Sequence, residues 1–119
     1  MTLHQGIEQL RSMSAAMEFP QLAEAAGGLL ASAYAELEGI SMSCRLQATD
    51  LNYEYAFALE NGAFSVLPAG TPVQVSLSGR ETDLRALLTG ELNPVKALLF
   101  GKLHISGDKS ALLKLGPHL

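Results

Sequence analysis

The chain has 119 residues, the size of one compact domain whose core needs no disulfide or metal to hold it. Hydrophobic residues make up 48% and charged residues 17%, below the usual quarter for soluble domains, so more apolar surface is present than a minimal core uses. A net charge of −4 argues against nucleic-acid binding, which needs a basic face to meet phosphates.

Leu3, Ile7, Leu10, Met13 and Met17 recur at helical spacing and predict a first amphipathic helix. Pro20 ends it or starts the next. Leu22, Ala26, Leu29, Leu30, Ala33 and Leu37 predict a second helix, stopped by Gly39. Gly27-Gly28 inside that helix costs about 1 kcal/mol per glycine, so either the helix bends there or another backbone comes close. The period then changes to two. Ile40, Met42, Cys44, Leu46 and Ala48 alternate with polar residues, and Leu51, Tyr53, Tyr55, Phe57 and Leu59 repeat the pattern. Asn61-Gly62 favours the positive φ angles of a tight hairpin. Phe64–Leu67 and then Val73, Val75 and Leu77 make two further strands, and the four together predict an antiparallel meander with one face solvated.

Ser78 and Glu81 have capping-box spacing, with Thr82 a second cap, ahead of a helix bearing Leu84, Leu87 and Leu88 and stopped by Gly90. Asn93-Pro94 starts a short helix that Gly101 ends. Leu103 and Ile105 alternate with polar residues in a fifth strand, and Asp108 caps a last helix bearing Leu112, Leu113 and Leu115. The fold class is therefore α+β. It is a mixed five-stranded sheet, a meander plus a fifth strand, with helices covering one face. The chain reads as a single domain over 1–119, with a helical segment at 1–38 and a sheet-and-helix core at 39–119.

Catalytic and metal chemistry have little to work with. His4, His104 and His118 are far apart in sequence, and His104 falls at a polar, solvent-facing strand position. Ser106-x-x-Lys109 matches one motif of penicillin-binding enzymes, but its companion motifs are missing. Cys44, the single cysteine, reads as a small core residue, and it leaves no internal disulfide, in keeping with a reducing compartment. Without a signal-like start or a bilayer-length apolar run, the expected location is the cytoplasm. The chain is expected not to be an enzyme and to need no cofactor or metal. Residues 61–119 carry a net +2 against −6 for residues 1–60, so the second half is the one that suits an anionic head group or a transient membrane contact.

Three segments then resemble one known family. Glu60-Asn61-Gly62-Ala63-Phe64-Ser65-Val66-Leu67-Pro68 resembles the central hairpin of the sterol carrier protein type two (SCP2-like) lipid-binding domain family. Leu87-Leu88-Thr89-Gly90-Glu91-Leu92-Asn93-Pro94 and Gly101-Lys102-Leu103-His104-Ile105-Ser106-Gly107-Asp108 are similar to its two glycine-containing signatures, in the same order. The likeness spans roughly residues 40–115, and the helices before it resemble nothing so specific. The resemblance implies a hydrophobic tunnel between sheet and helices that carries a lipid or fatty-acyl ligand. The residues expected to line it are Tyr55, Phe57, Val75, Leu84, Leu87, Leu88, Leu92, Leu98, Phe100, Ile105, Leu112 and Leu113. Lys96, Lys102 and Lys114 are the candidate head-group contacts, and the last helix is the expected gate. Phe100 stands where relatives often carry a polar residue, and Leu112-Leu113 replaces a more adaptable methionine stretch. An acyl chain of about 16 carbons would gain about 13 kcal/mol gross on burial, much of it offset by lost freedom. The alternative is an interaction or accessory module that docks a second copy or a lipid-metabolising enzyme through residues 1–38.

Overall fold

The computed structural model describes residues 2–92 and 101–115, the last helix without the side chains of Leu112, Leu113 and Leu115. The helix expected from Asn93-Pro94, with Lys96, Leu98 and Phe100, lies outside the described residues. Helix α1 (Leu3–Met13) starts at a capping box between Thr2 and Gln5 and runs into a 3-10 turn at Ser14–Ala16. Helix α2 (Phe19–Ser32) follows with Pro20 in its first turn, so the proline begins a helix rather than ending one.

Five strands then form: β1 (Met42–Ala48), β2 (Tyr53–Glu60), β3 (Ala63–Leu67), β4 (Val75–Gly79) and β5 (Leu103–Gly107). Helix α3 (Glu81–Leu88) joins β4 towards β5, and α4 (Lys109–Leu115) closes the described chain. The sheet order is β3-β2-β1-β4-β5. The β2–β3 turn forms at Asn61-Gly62 as predicted, with φ of 51° and 87°.

The meander stops at three strands. β4 does not pair with β3; it crosses over and lies parallel to β1, with Leu46 opposite Leu77. The reason is in the connection. Pro68 and Pro72 cannot donate ladder hydrogen bonds, and the stretch is too long for a tight hairpin. Outward-facing side chains of β1 hold this crossover. Ser43 Oγ accepts from Gln74 N at 2.8 Å, and Arg45 donates to the Thr71 carbonyl. The outer face is thus partly covered rather than wholly solvated, and Ala56 on it is buried.

Two other expectations change. Helix α2 ends seven residues before Gly39, and hydrogen-bonded turns continue to that glycine. Leu37 is still 0% exposed, so the apolar spacing survives where the helix does not. The cap of α3 is not Ser78, which belongs to β4, nor Thr82. The N-cap position is Arg80, and the Glu81 amide donates instead to Asp50 Oδ1 at 2.9 Å, from the β1–β2 turn. Asp108 does accept from Ser110 N at the start of α4, at 3.0 Å.

One core runs between the sheet and the helices. It holds Leu3, Ile7 and Leu10 of α1, Phe19, Leu22 and Ala23 of α2, Leu84 of α3 and Ala111 of α4 against the inner residues of β1, β2, β4 and β5. The apolar faces of α1 and α2 are therefore spent on the sheet. Among the described residues, no helix is long and apolar enough to cross a membrane.

Candidate functional site: an apolar slot between sheet and helices

Alternation puts Met42, Cys44 and Leu46 of β1 on the helix side, opposite Leu59, Phe57 and Tyr55 of β2. Leu77 of β4 lies beside Leu46 on the same face. Over this floor the helices do not close completely. A cavity of about 80 Å³ remains, floored by Met42, Cys44, Leu46, Tyr55, Phe57 and Leu77. Its roof is Leu3 and Ile7 of α1, Ala23, Ala26, Gly27, Leu29 and Leu30 of α2, and Leu87 and Leu88 of α3. No charged side chain borders it among the described residues.

The roof is tied together at its rim. Arg11 Nε of α1 donates to the Thr89 carbonyl after α3 at 2.7 Å. Arg85 of α3 returns the link by donating to the Ser14 carbonyl, and it also pairs with Glu81 one turn away. Both guanidinium groups are thus engaged in holding α1 to α3.

The helix runs on through the glycine pair in α2, and Gly27 has a different cause from either one expected. The atoms nearest it are aromatic: a Cβ on Gly27 would overlap the Tyr55 hydroxyl and sit 2.9 Å from Phe64 Cζ, whereas Gly28 meets open space. Phe64 in turn stacks on Phe57 at 5.7 Å between centroids, while Phe19 meets Tyr53 edge-on at 5.9 Å.

Of the residues expected to line a tunnel, Tyr55, Phe57, Leu87 and Leu88 come together around this cavity. Val75, Leu84 and Ile105 are buried but do not border it; they lie where α3 and α4 cover β4 and its neighbours. Leu92 packs half-buried against the core. Lys102 and Lys114 are exposed and do not border the cavity. Helix α4 packs on β1 and β4 through Ala111, and the roof comes from α1, α2 and α3. Sequence reasoning missed the α1 and α2 part of that roof. The signal was Gly27, a costly helix residue with no local explanation.

Cys44 sits on the floor. Burial pushes its thiol up to about 12, with the Arg45 charge pulling weakly the other way. A thiol raised from 9.0 favours the folded state below that value, and the benefit is lost as pH climbs towards 12. Cys44→Ala should therefore flatten the alkaline arm of the stability curve. In the folded wild type, a thiol reagent at mildly alkaline pH should react at least about tenfold more slowly than with the urea-unfolded chain. Equal rates would contradict the burial. No cluster of three or more His, Cys, Asp or Glu side chains suited to a metal occurs among the described residues.

Helices on one face of a mixed sheet, enclosing an uncharged apolar slot, define a sheet-and-helix module built around its own interior. The chain belongs to the SCP-2 sterol transfer family, whose profile matches residues 21–119. The match takes in α2, earlier than the resemblance at 40–115 reached, because an Ala- and Gly-rich helix carries no distinctive motif. Over 58 residues the chain is 38% identical to sterol carrier protein 2 of Rattus norvegicus, covering 48% of this chain and 11% of that protein. The chain thus corresponds to a small part of the curated relatives it matches. Its fold is similar to part of the sec-alkylsulfatase Pisa1 from Pseudomonas sp., with a TM-score of 0.65 at 22% identity, over 76% of this chain and 15% of that one. It is also similar to sterol carrier protein-2 of Aedes aegypti in complex with the C16 fatty acid palmitate. There the TM-score is 0.57 at 13% identity, over 77% of this chain and 88% of that one.

Proposed function

We propose that this chain binds a lipid or fatty-acyl ligand in the slot between sheet and helices and carries it, with no bond-breaking step of its own. The observation that carries the reading is the slot's chemistry: aliphatic and aromatic side chains, small residues along α2, and no charge among the described residues that border it. Family membership and the palmitate complex of the Aedes aegypti protein support the same reading.

A volume of about 80 Å³ is smaller than the roughly 150 Å³ cavity that accommodates benzene in a protein core. Uptake of a long chain therefore requires the helical roof and the sheet to separate. Native mass spectrometry of detergent-free protein, with titration of a fluorescent fatty acid, tests the proposal. Copurified lipid or saturable uptake is expected; neither lipid nor uptake in repeated preparations would reject it.

A second reading is favoured by the match to 15% of the Pisa1 chain, where this fold is a small part of an enzyme. Here the module would serve a lipid-metabolising enzyme or pair with a second copy. Removing residues 1–38 would also remove Leu3, Leu10, Phe19 and Leu22 from the core, so deletion is the wrong test. Glutamates at exposed Met13 and Tyr34 leave the core intact. An associated state that dissociates in Met13→Glu/Tyr34→Glu, read by light scattering, would support this reading, and a monomeric wild type would remove the self-association form of it.

A further inference from the structure

We propose that strand β3 pairs edge to edge with β3 of a second copy of this chain, antiparallel about a twofold axis at Ser65, so that two sheets join into one. Strand β3 is an outer edge of the sheet and has β2 on its inner side only. The Asn61-Gly62 turn decides which of its backbone groups point outward. A two-residue turn closes on a hydrogen-bonded pair, here Glu60 and Ala63, and bonded and non-bonded pairs alternate from there. Ala63, Ser65 and Leu67 therefore turn their N–H and C=O groups towards β2, while Phe64 and Val66 turn theirs away from it. Among the described residues, no turn or loop backbone bonds to Phe64 or Val66.

This pattern is self-complementary. With Ser65 opposite Ser65, Phe64 of one copy meets Val66 of the other, and each such pair exchanges both of its outward bonds. The side chains agree with it. Phe64 and Val66 share the helix-side face with their β2 partners Leu59 and Phe57. Val66 is 60% exposed there, and pairing lays it beside Phe64 of the second copy. On the opposite face the two exposed Ser65 side chains come together. The devices that block edge pairing are missing. Residues 61–73 carry no charged side chain, the β2–β3 register runs without a bulge, and Pro68 comes only after β3 ends. The other edge strand, β5, bears His104 between Lys102 and Asp108. The stack of Phe64 on Phe57 holds β3 from its inner side. A seam of 5 residues a side falls short of the roughly 1,200 Å² of a stable complex, so the association is weak and concentration-dependent. It is independent of whether the slot takes lipid.

Sedimentation velocity of the full chain, from about 5 μM to about 500 μM, covers the range of such a contact. The wild type should shift from one chain towards two. Val66→Pro removes an outward N–H and leaves the β2 ladder whole. Ser65→Lys sets two ammonium groups against each other on the axis. Each variant should raise the dissociation constant at least about tenfold, with the far-UV circular dichroism unchanged. Ser65→Cys adds a positive signature, because facing residues in a non-bonded pair have Cα atoms about 4.5 Å apart, within reach of a disulfide. Mild oxidation should link two Ser65→Cys chains at least about tenfold faster than two Leu51→Cys chains, whose substitution is at an exposed site away from β3, while the native Cys44 stays buried. A wild type that remains one chain throughout, association that both Val66→Pro and Ser65→Lys leave unchanged, or equal rates of cross-linking would each overturn the proposal.

Discussion

Gly62→Ala should destabilise the protein by roughly 3 kcal/mol, among the largest effects of any single methyl group in this chain. Two costs add. The residue sits at φ +87°, where an L side chain loses about 1–2 kcal/mol. A Cβ there would also lie 2.7 Å from the Tyr34 carbonyl oxygen and 2.9 Å from the Glu38 nitrogen. Those are backbone atoms of the turn that leads from α2 into β1, and that turn cannot yield without releasing Leu37, which is fully buried. Gly28→Ala is the matched control. It meets open space inside a helix, so it should gain about 1 kcal/mol. Urea melts of both variants give the comparison, and a Gly62→Ala midpoint equal to wild type would contradict the packing described for the hairpin.

Ala26→Phe should abolish lipid uptake while leaving the fold intact. Ala26 is half-buried on α2 and borders the slot, so a phenyl ring there grows into the space a ligand would take. Filling an existing apolar gap typically changes stability by about 1 kcal/mol, in either direction once strain is included. Ligand affinity should fall at least about tenfold, which corresponds to about 1.4 kcal/mol of lost binding energy. Retained affinity in a folded Ala26→Phe protein would place the ligand somewhere other than this slot.

Much of this architecture is legible along the chain, and the exceptions share a cause. Alternation in β1 and β2 assigns each residue to a face, which is why Tyr55 and Phe57 could be placed on the inner side without coordinates. Asn61-Gly62 specifies its own turn because its φ preferences are local. The partner of β4 is a different kind of fact. A period of two says which face a residue occupies but nothing about which strand lies beside it, so the parallel pairing with β1 carried no local signature. The same holds for the Glu81 amide, held by Asp50 from 31 residues away. The α2 part of the roof escaped because Ala23, Ala26 and Gly27 contribute through what they lack. Small side chains leave room for Tyr55, and hydropathy patterns register bulk rather than space.

The slot's role as the ligand's seat is tested most directly by nuclear Overhauser contacts in a complex with a saturated twelve-carbon lipid. Methylene protons of the ligand should show contacts to the Met42, Leu30 and Leu77 methyl groups, which border the cavity from below and above. Contacts confined to the exposed Met13, Leu51 and Val66 would mean that the lipid rests on the outside, and that the interior space holds no ligand.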